Sequence, residues 1–250
     1  MTYSIVARDT RTGEYGIAVA SRFFACGSLV PHVAATAALA SQAFVNPLWG
    51  TEGLPRLVEG EAPADIFADL ASRDDGETIR QAHAIGPDGQ IVQHTGADCV
   101  PWAGHVSGPD ISVAGNMLTG PEVVRDTLQA FLDQPDMPFA ERLMHAMQAG
   151  EVAGGDKRGK QAAGLLIHAG QPYPAIDLRV DDHADPLSEL RRLYAVSGER
   201  YRLFAMGIPT VDNFSGMTDR KPLDEAIAAD EARRSAENIP SQSFATNTGV

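Results

Sequence analysis

The second residue of the chain is Thr2. A small residue at this position permits removal of the initiator Met1, and the threonine then carries a free α-amino group beside its own hydroxyl. The reference pKa of an α-amine, ~7.7–8.0, leaves a useful neutral fraction near pH 7. Such an amine takes the hydroxyl proton and lets Oγ attack an amide carbonyl. The chemistry requires a rigid terminus, and the apolar, β-branched run Tyr3–Ala7 starts a strand at once.

Other arrangements of reactive residues are weaker. Gly154-Gly155-Asp156-Lys157-Arg158-Gly159-Lys160-Gln161 matches G-x-x-x-x-G-K, but Gln161 stands where a phosphate loop places the Ser or Thr that holds Mg²⁺. The segment also follows a helix and leads into a strand, the reverse of the phosphate-loop context. It reads as a Gly-rich connection, or as a functional loop bringing Asp156, Lys157 or Arg158 to a cleft. His83, His94, His105, His168 and His183 lack the i, i+4 spacing of a helical zinc site. Asp181–Asp185 reads as a solvated loop with a helix cap. G-x-S-x-G does not occur, and Cys26 in its apolar context reads as core. No metal site and no cofactor is therefore expected. His105 near Trp102, and Asn116 in Gly115-Asn116-Met117, are candidates to line a site.

The elements that must position these residues follow from patterning. Tyr3–Ala7 and Ile17–Ala20 flank the turn cluster Asp9–Gly13 and predict a hairpin. Residues 30–45 supply one or two further strands. Helices are expected over Gly50–Glu59 and Ala62–Leu70, then strands Ala82–Ile85 and Ile91–His94 around Gly86-Pro87-Asp88-Gly89, and a short strand Ile111–Gly115. A second helix pair carries the stripes Val124, Leu128, Phe131, Leu132 and Phe139, Leu143, Met144, Met147. Ala162–His168 and Ile176–Val180 read as paired strands, and a helix starts at Asp185-Pro186. Strands and helix pairs in separate runs predict a layered α+β fold rather than βαβα alternation. Residues 201–250 form a polar C-terminal extension to a domain spanning 1–200. It contains a charged helix over Asp224–Asn238, and its last dozen residues are expected to be mobile.

The chain has 250 residues, 20 Lys+Arg and 33 Asp+Glu, and a formal net charge of −13. A charge of that sign argues against nucleic acid and anionic membrane as main partners. Two cysteines, Cys26 and Cys99, cannot make a disulfide framework and suit a reducing compartment. No secretory signal opens the chain, and its longest apolar stretch, Val30–Val45, is interrupted by Pro31, His32, Thr36, Ser41 and Gln42. These features predict a cytoplasmic protein, with a homodimer as the default assembly.

Five blocks in the same order carry a family resemblance. They are Thr2–Asp9, Gly16–Phe24, Gln42-Ala43-Phe44-Val45-Asn46-Pro47, Gly115-Asn116-Met117-Leu118 and Gly154–Gln161. Together they resemble the bacterial family catalogued as domain of unknown function 1028, which is grouped with the N-terminal nucleophile (Ntn) hydrolases. The resemblance runs from Thr2 to about Val196. It implies a four-layer αββα sandwich, with two packed antiparallel sheets between helix pairs and Thr2 as the nucleophile.

The resemblance also suggests supporting roles. Proteasome-type relatives end their second strand in Asp-Ser-Arg, whereas this chain has Ala20-Ser21-Arg22 and no lysine before Lys157. Amide hydrolases of the bile-salt and penicillin-acylase type place an arginine near the nucleophile, a part that falls to Arg22. Asn116 or Asn46 would donate to the developing oxyanion, and Asp156 would support the terminal amine. Ser21, Asn46, His105, Lys157 and Arg158 are assigned to the surroundings of a small-molecule substrate. The implied activity is hydrolysis of a small amide or peptide-like bond. The alternative is a catalytically silent Ntn-fold protein that binds a ligand or assembles with a partner.

Overall fold

The computed structural model describes residues 2–245, which form ten strands and seven α-helices. Strand β1 (Thr2–Asp9) and strand β2 (Glu14–Ser21) pair antiparallel from Tyr3↔Ala20 to Asp9↔Glu14. The turn between them closes because Asp9 accepts the Arg11 amide through Oδ1 at 2.9 Å and the Gly13 amide through its carbonyl at 2.8 Å. Gly13 has a φ of 76°, which a side chain would resist.

Residues 30–45 yield two short strands, β3 (Pro31–Val33) and β4 (Ala38–Ala43). Helix α1 (Pro47–Val58) starts three residues ahead of the expected Gly50, because Asn46 caps it by accepting the Leu48 amide at 3.0 Å. Helix α2 (Pro63–Ser72) buries Ile66, Phe67 and Leu70 as the pattern predicts. Strands β5 (Arg80–Ile85) and β6 (Ile91–Thr95) flank the Gly86–Gly89 turn. Strand β7 (Gly104–Gly108) has no counterpart in the sequence reading, because Gly-His-Val-Ser-Gly offers a single apolar residue on a half-exposed edge. Strand β8 is Ile111–Asn116. Helices α3 (Glu122–Leu132) and α4 (Phe139–Val152) bury Val124, Phe131, Phe139, Leu143, Met144 and Met147. Strands β9 (Ala162–His168) and β10 (Ile176–Val180) follow.

The strands form two wholly antiparallel sheets. One has the order β10-β9-β2-β1-β8-β7 and the other β3-β4-β5-β6. Strands β1, β2 and β8 of the first sheet face β3, β4 and β5 of the second. Helices α3 and α4 cover the outer face of the larger sheet, and α1 and α2 cover that of the smaller. This is the α+β, four-layer αββα sandwich.

Strand alternation assigns each face. Val6, Ile17, Val19, Ala38, Ala40 and Ile85 meet between the sheets, whereas Leu39, Ala82 and Ala84 pack outward with Trp49, Ile66 and Leu70. Helix α4 lies close on β1: a Cβ added to Gly150 would stand 2.9 Å from the Tyr3 ring.

The chain divides into two compact units between Leu187 and Ser188, within helix α5 (Pro186–Glu199). The second unit also contains α6 (Tyr201–Ala205) and α7 (Lys221–Ala236). Helix α7 is the expected charged helix and carries ion pairs from Arg233 to Asp230 and Glu237. Of the last dozen residues, 246–250 lie outside the described ones, while Ser241 and Gln242 donate to Glu199 at 2.6 and 2.8 Å. Among the described residues no helix is long and apolar enough to cross a membrane.

Candidate functional site

Register brings the first candidate residues together. Thr2 stands opposite Asn116 in the β1–β8 ladder, and Tyr3↔Ala20 in the hairpin leaves Thr2 beside Ser21. Thr2 shares its face of the strand with Ser4 and Val6, so its side chain points between the sheets. There the Thr2 hydroxyl donates to Ser21 Oγ at 3.2 Å, and Asn116 Nδ2 reaches the Thr2 carbonyl at 3.4 Å. Thr2, Ser21 and Asn116 are all buried. Met1, on which a free Thr2 amine depends, lies outside the described residues.

Asp156 and Arg22 meet beside this cluster through different atoms from those the sequence suggests. Asp156 Oδ2 accepts the backbone amide of Arg22 at 2.8 Å, while Oδ1 accepts the Arg158 amide, also at 2.8 Å. The Arg158 guanidinium closes on Asp156 at 3.3 Å, and the Arg22 guanidinium donates to the Arg158 carbonyl. A β-bridge between Leu118 and Asp156 ties the loop to the end of β8. These bonds anchor the 154–161 loop, through Asp156 and Arg158, to Arg22 at the end of β2. That loop joins α4 to β9, as its reading as a Gly-rich connection expects. Lys157 donates to the Pro101 carbonyl at 2.8 Å.

Two other candidates are engaged elsewhere. Asn46 caps α1, and its Nδ2 donates to Asp74 Oδ2 at 2.8 Å. Trp49 and Arg80 also bond Asp74, and the Arg80 guanidinium leads in holding that carboxyl well below the usual carboxylate range. His105 is exposed on β7, with Nδ1 2.9 Å from Thr95 Oγ1.

Behind Asn116 runs a buried polar network that sequence patterning does not disclose. Gln81 Oε1 accepts from Asn116 Nδ2 at 3.0 Å and from Gln42 Nε2 at 2.9 Å. Ser4 donates to Gln42 Oε1 at 2.7 Å, so its oxygen must accept from His83 Nε2, 2.8 Å away. His83 Nδ1 is left to accept from Ser112 at 2.8 Å, and Ser112 in turn accepts from Gln93 Nε2. The directions agree along the whole chain with His83 neutral and its proton on Nε2. Burial, with a smaller push from His105, holds the His83 pKa down at about 3. The alternation of Gln81, His83 and Ile85 with Ala82 and Ala84 marks a strand, but polar residues along one face give no sign that a second sheet covers them.

Thr2 opens onto a cavity of about 50 Å³ lined in part by Phe23, Cys26, Gln42 and Ala43. Burial pushes the Cys26 thiol up to about 12, so Cys26 contributes packing rather than a thiolate here. Ala43 is shared with a larger cleft of about 260 Å³ that includes Asn116 and Met117. Ala43 and Met117 both adopt left-handed backbone, with φ of 69° and 53°. Such strain in non-glycine residues concentrates at functional sites. Among the described residues no group of three or more His, Cys, Asp or Glu is placed to hold a metal ion.

Comparison with other proteins places this architecture in a family. Among curated proteins none matches the chain. The crystal structure of protein SPO2555 from Silicibacter pomeroyi, itself assigned to DUF1028, superposes with a TM-score of 0.81 at 31% identity, covering 87% of this chain and 96% of that one. The sequence profile described as "Family of unknown function (DUF1028)" matches residues 2–190. The chain therefore belongs to the DUF1028 family.

Proposed function

We propose that the protein is an Ntn-type amidohydrolase that cleaves a small amide or peptide-like bond, with Thr2 as nucleophile after removal of Met1. The observation that carries this reading is the placement of Thr2. It is the first residue of a central strand, its hydroxyl is fixed 3.2 Å from Ser21 Oγ, and Asn116 stands opposite it. A freed Thr2 amine would take the hydroxyl proton as Oγ attacks, and would return a proton to the leaving amine. Asn116 Nδ2, which reaches the Thr2 carbonyl at 3.4 Å, is the side-chain donor we assign to an oxyanion on the attacked carbonyl. Asp156, Arg22 and Arg158 shape the loop beside the nucleophile instead of touching the reacting atoms.

The test combines intact mass with turnover. The purified protein is expected to lack Met1 and to release amine from at least one member of a panel of small amides. Thr2→Ala should abolish that release, and Thr2→Ser should retain part of it. Retention of Met1 in active protein would overturn the assignment.

A second reading, a silent Ntn-fold binding protein, is favoured by one specific observation. Asp156 holds the backbone of its own loop and of Arg22, so any support of a Thr2 amine would have to share those oxygens. This reading predicts ligand binding that is unchanged in Thr2→Ala and no turnover in either protein.

A further inference from the structure

The cavity at Thr2, about 50 Å³, has room for one or two waters but not for a substrate. The neighbouring cleft, about 260 Å³, falls just below the range of ~300–1,000 Å³ typical for sites that enclose a whole small molecule. It is sized for one side-chain-like group. Its walls are chiefly Phe44, Ile79, Val100 and Met117, and it shares Ala43 with the cavity at Thr2. Phe44 and Val100 are exposed, so the cleft opens to solvent without rearrangement.

Charge at the cleft is one-sided. Asp98 belongs to its lining, and its carboxylate has no hydrogen-bond or ion-pair partner among the described residues. Arg80 stacks over Phe44 of the lining at 5.4 Å but is paired with Asp74 at 3.0 Å. Lys157 is held on the Pro101 carbonyl and does not line the cleft. An apolar wall beside one unpaired carboxylate favours a cation there and repels an anion.

We propose that this cleft binds an apolar substituent of the substrate, of phenyl or branched-aliphatic size, and that it accepts amides carrying a neutral or positive group and rejects anionic ones. The proposal rests on the Thr2 reading for which bond is cut, but the binding it describes does not require turnover.

Calorimetric or NMR titration of the full chain with phenylalaninamide, glycinamide and N-succinyl-phenylalaninamide tests it. Phenylalaninamide should bind at least tenfold more tightly than either of the other two. Val100→Trp fills the cleft and should remove this preference, and Phe44→Ala should weaken phenylalaninamide severalfold. Asp98→Lys should reverse the order of the cationic and anionic amides. Both Val100 and Asp98 are exposed, so these variants should keep the wild-type circular dichroism. Equal affinities for phenylalaninamide and glycinamide, no measurable binding of phenylalaninamide, or an unaltered Val100→Trp would overturn the proposal. Cleft-dependent binding without turnover would remove the Thr2 reading alone. Thr2-dependent turnover that ignores the apolar group would remove the cleft alone.

Discussion

Gln81 Oε1 accepts from Asn116 Nδ2 at 3.0 Å, so a residue of the four-stranded sheet orients the amide that stands opposite Thr2 in the six-stranded sheet. The same oxygen accepts from Gln42, and Gln81 Nε2 donates to Thr95 Oγ1 and the Gly115 carbonyl, both at 2.9 Å. Gln81 is fully buried. It joins the two sheets and the candidate site through one side chain.

Replacing Gln81 with leucine keeps much of the volume but leaves the Asn116 and Gln42 amides without their acceptor. Each stranded buried donor costs about 1–3 kcal/mol. For a domain of this size each kcal/mol lowers Tm by about 2–4 °C. Gln81→Leu is therefore expected to melt roughly 5–20 °C lower by calorimetry, and any Thr2-dependent turnover should fall further than stability alone explains. A variant as stable as wild type would show that the network is not a structural link.

His83 predicts how stability follows pH. In the unfolded chain its imidazole takes up a proton near pH 6.5, whereas the folded protein holds that pKa down at about 3. Between those values the unfolded state binds more protons, so stability is complete above about pH 6.5 and is lost as pH falls toward 3. The slope from this one residue is roughly 1.4 kcal/mol per pH unit. Denaturant unfolding at pH 7.5, 5.5 and 4.5 should show the loss. His83→Gln, although less stable at pH 7.5, should have the flatter profile. Parallel profiles for the two proteins would exclude His83 as the source.

The elements were readable where burial is one-sided or complete and the side chains say so. Ala162–His168 and Ile176–Val180 match β9 and β10 residue for residue, because an apolar run of strand length and an alternating neighbour beyond Gly170 and Pro174 have few alternatives. Gln42, Gln81 and His83 escaped because polar side chains on a strand normally face water. Only the packing of a second sheet over them turns those positions inward. Within the candidate site, the proposal for Thr2 comes from its position alone. Its approach to Ser21 depends on hairpin register, and its pairing with Asn116 joins strands more than a hundred residues apart, which no local pattern encodes. The atoms that Asp156 bonds are not legible in the sequence, because loop backbone geometry decides them.

The Thr2–Ser21 hydrogen bond predicts a modest kinetic effect. Ser21 holds the Thr2 oxygen in place but is not positioned as its base, since the amine of a freed Thr2 fills that role. Loss of one such bond is worth about 0.5–1.5 kcal/mol. Ser21→Ala should therefore lower kcat of the proposed amidase up to about tenfold and leave KM nearly unchanged. A loss as complete as that of Thr2→Ala would instead place Ser21 in the proton path.

Asp156 gives a prediction that does not depend on catalysis. Its carboxylate accepts the Arg22 and Arg158 amides at 2.8 Å each, and together they tie the end of β2 to a loop with three positive-φ glycines, Gly154, Gly155 and Gly159. Glycines at positive φ hold this path without strain but do not enforce it, so the side-chain anchor carries the constraint. Asp156→Ala removes the anchor and leaves two backbone donors without acceptors. Lys157, Arg158 and Lys160 are exposed in that loop and are trypsin sites. Limited trypsin digestion of Asp156→Ala should cut between Lys157 and Gln161 at least tenfold faster than in wild type, while cleavage at Arg233 and Arg234 in α7 proceeds at its usual rate. Equal loop cleavage in the two proteins would mean that the Leu118–Asp156 bridge and the Arg22–Arg158 contact hold the loop without the carboxylate.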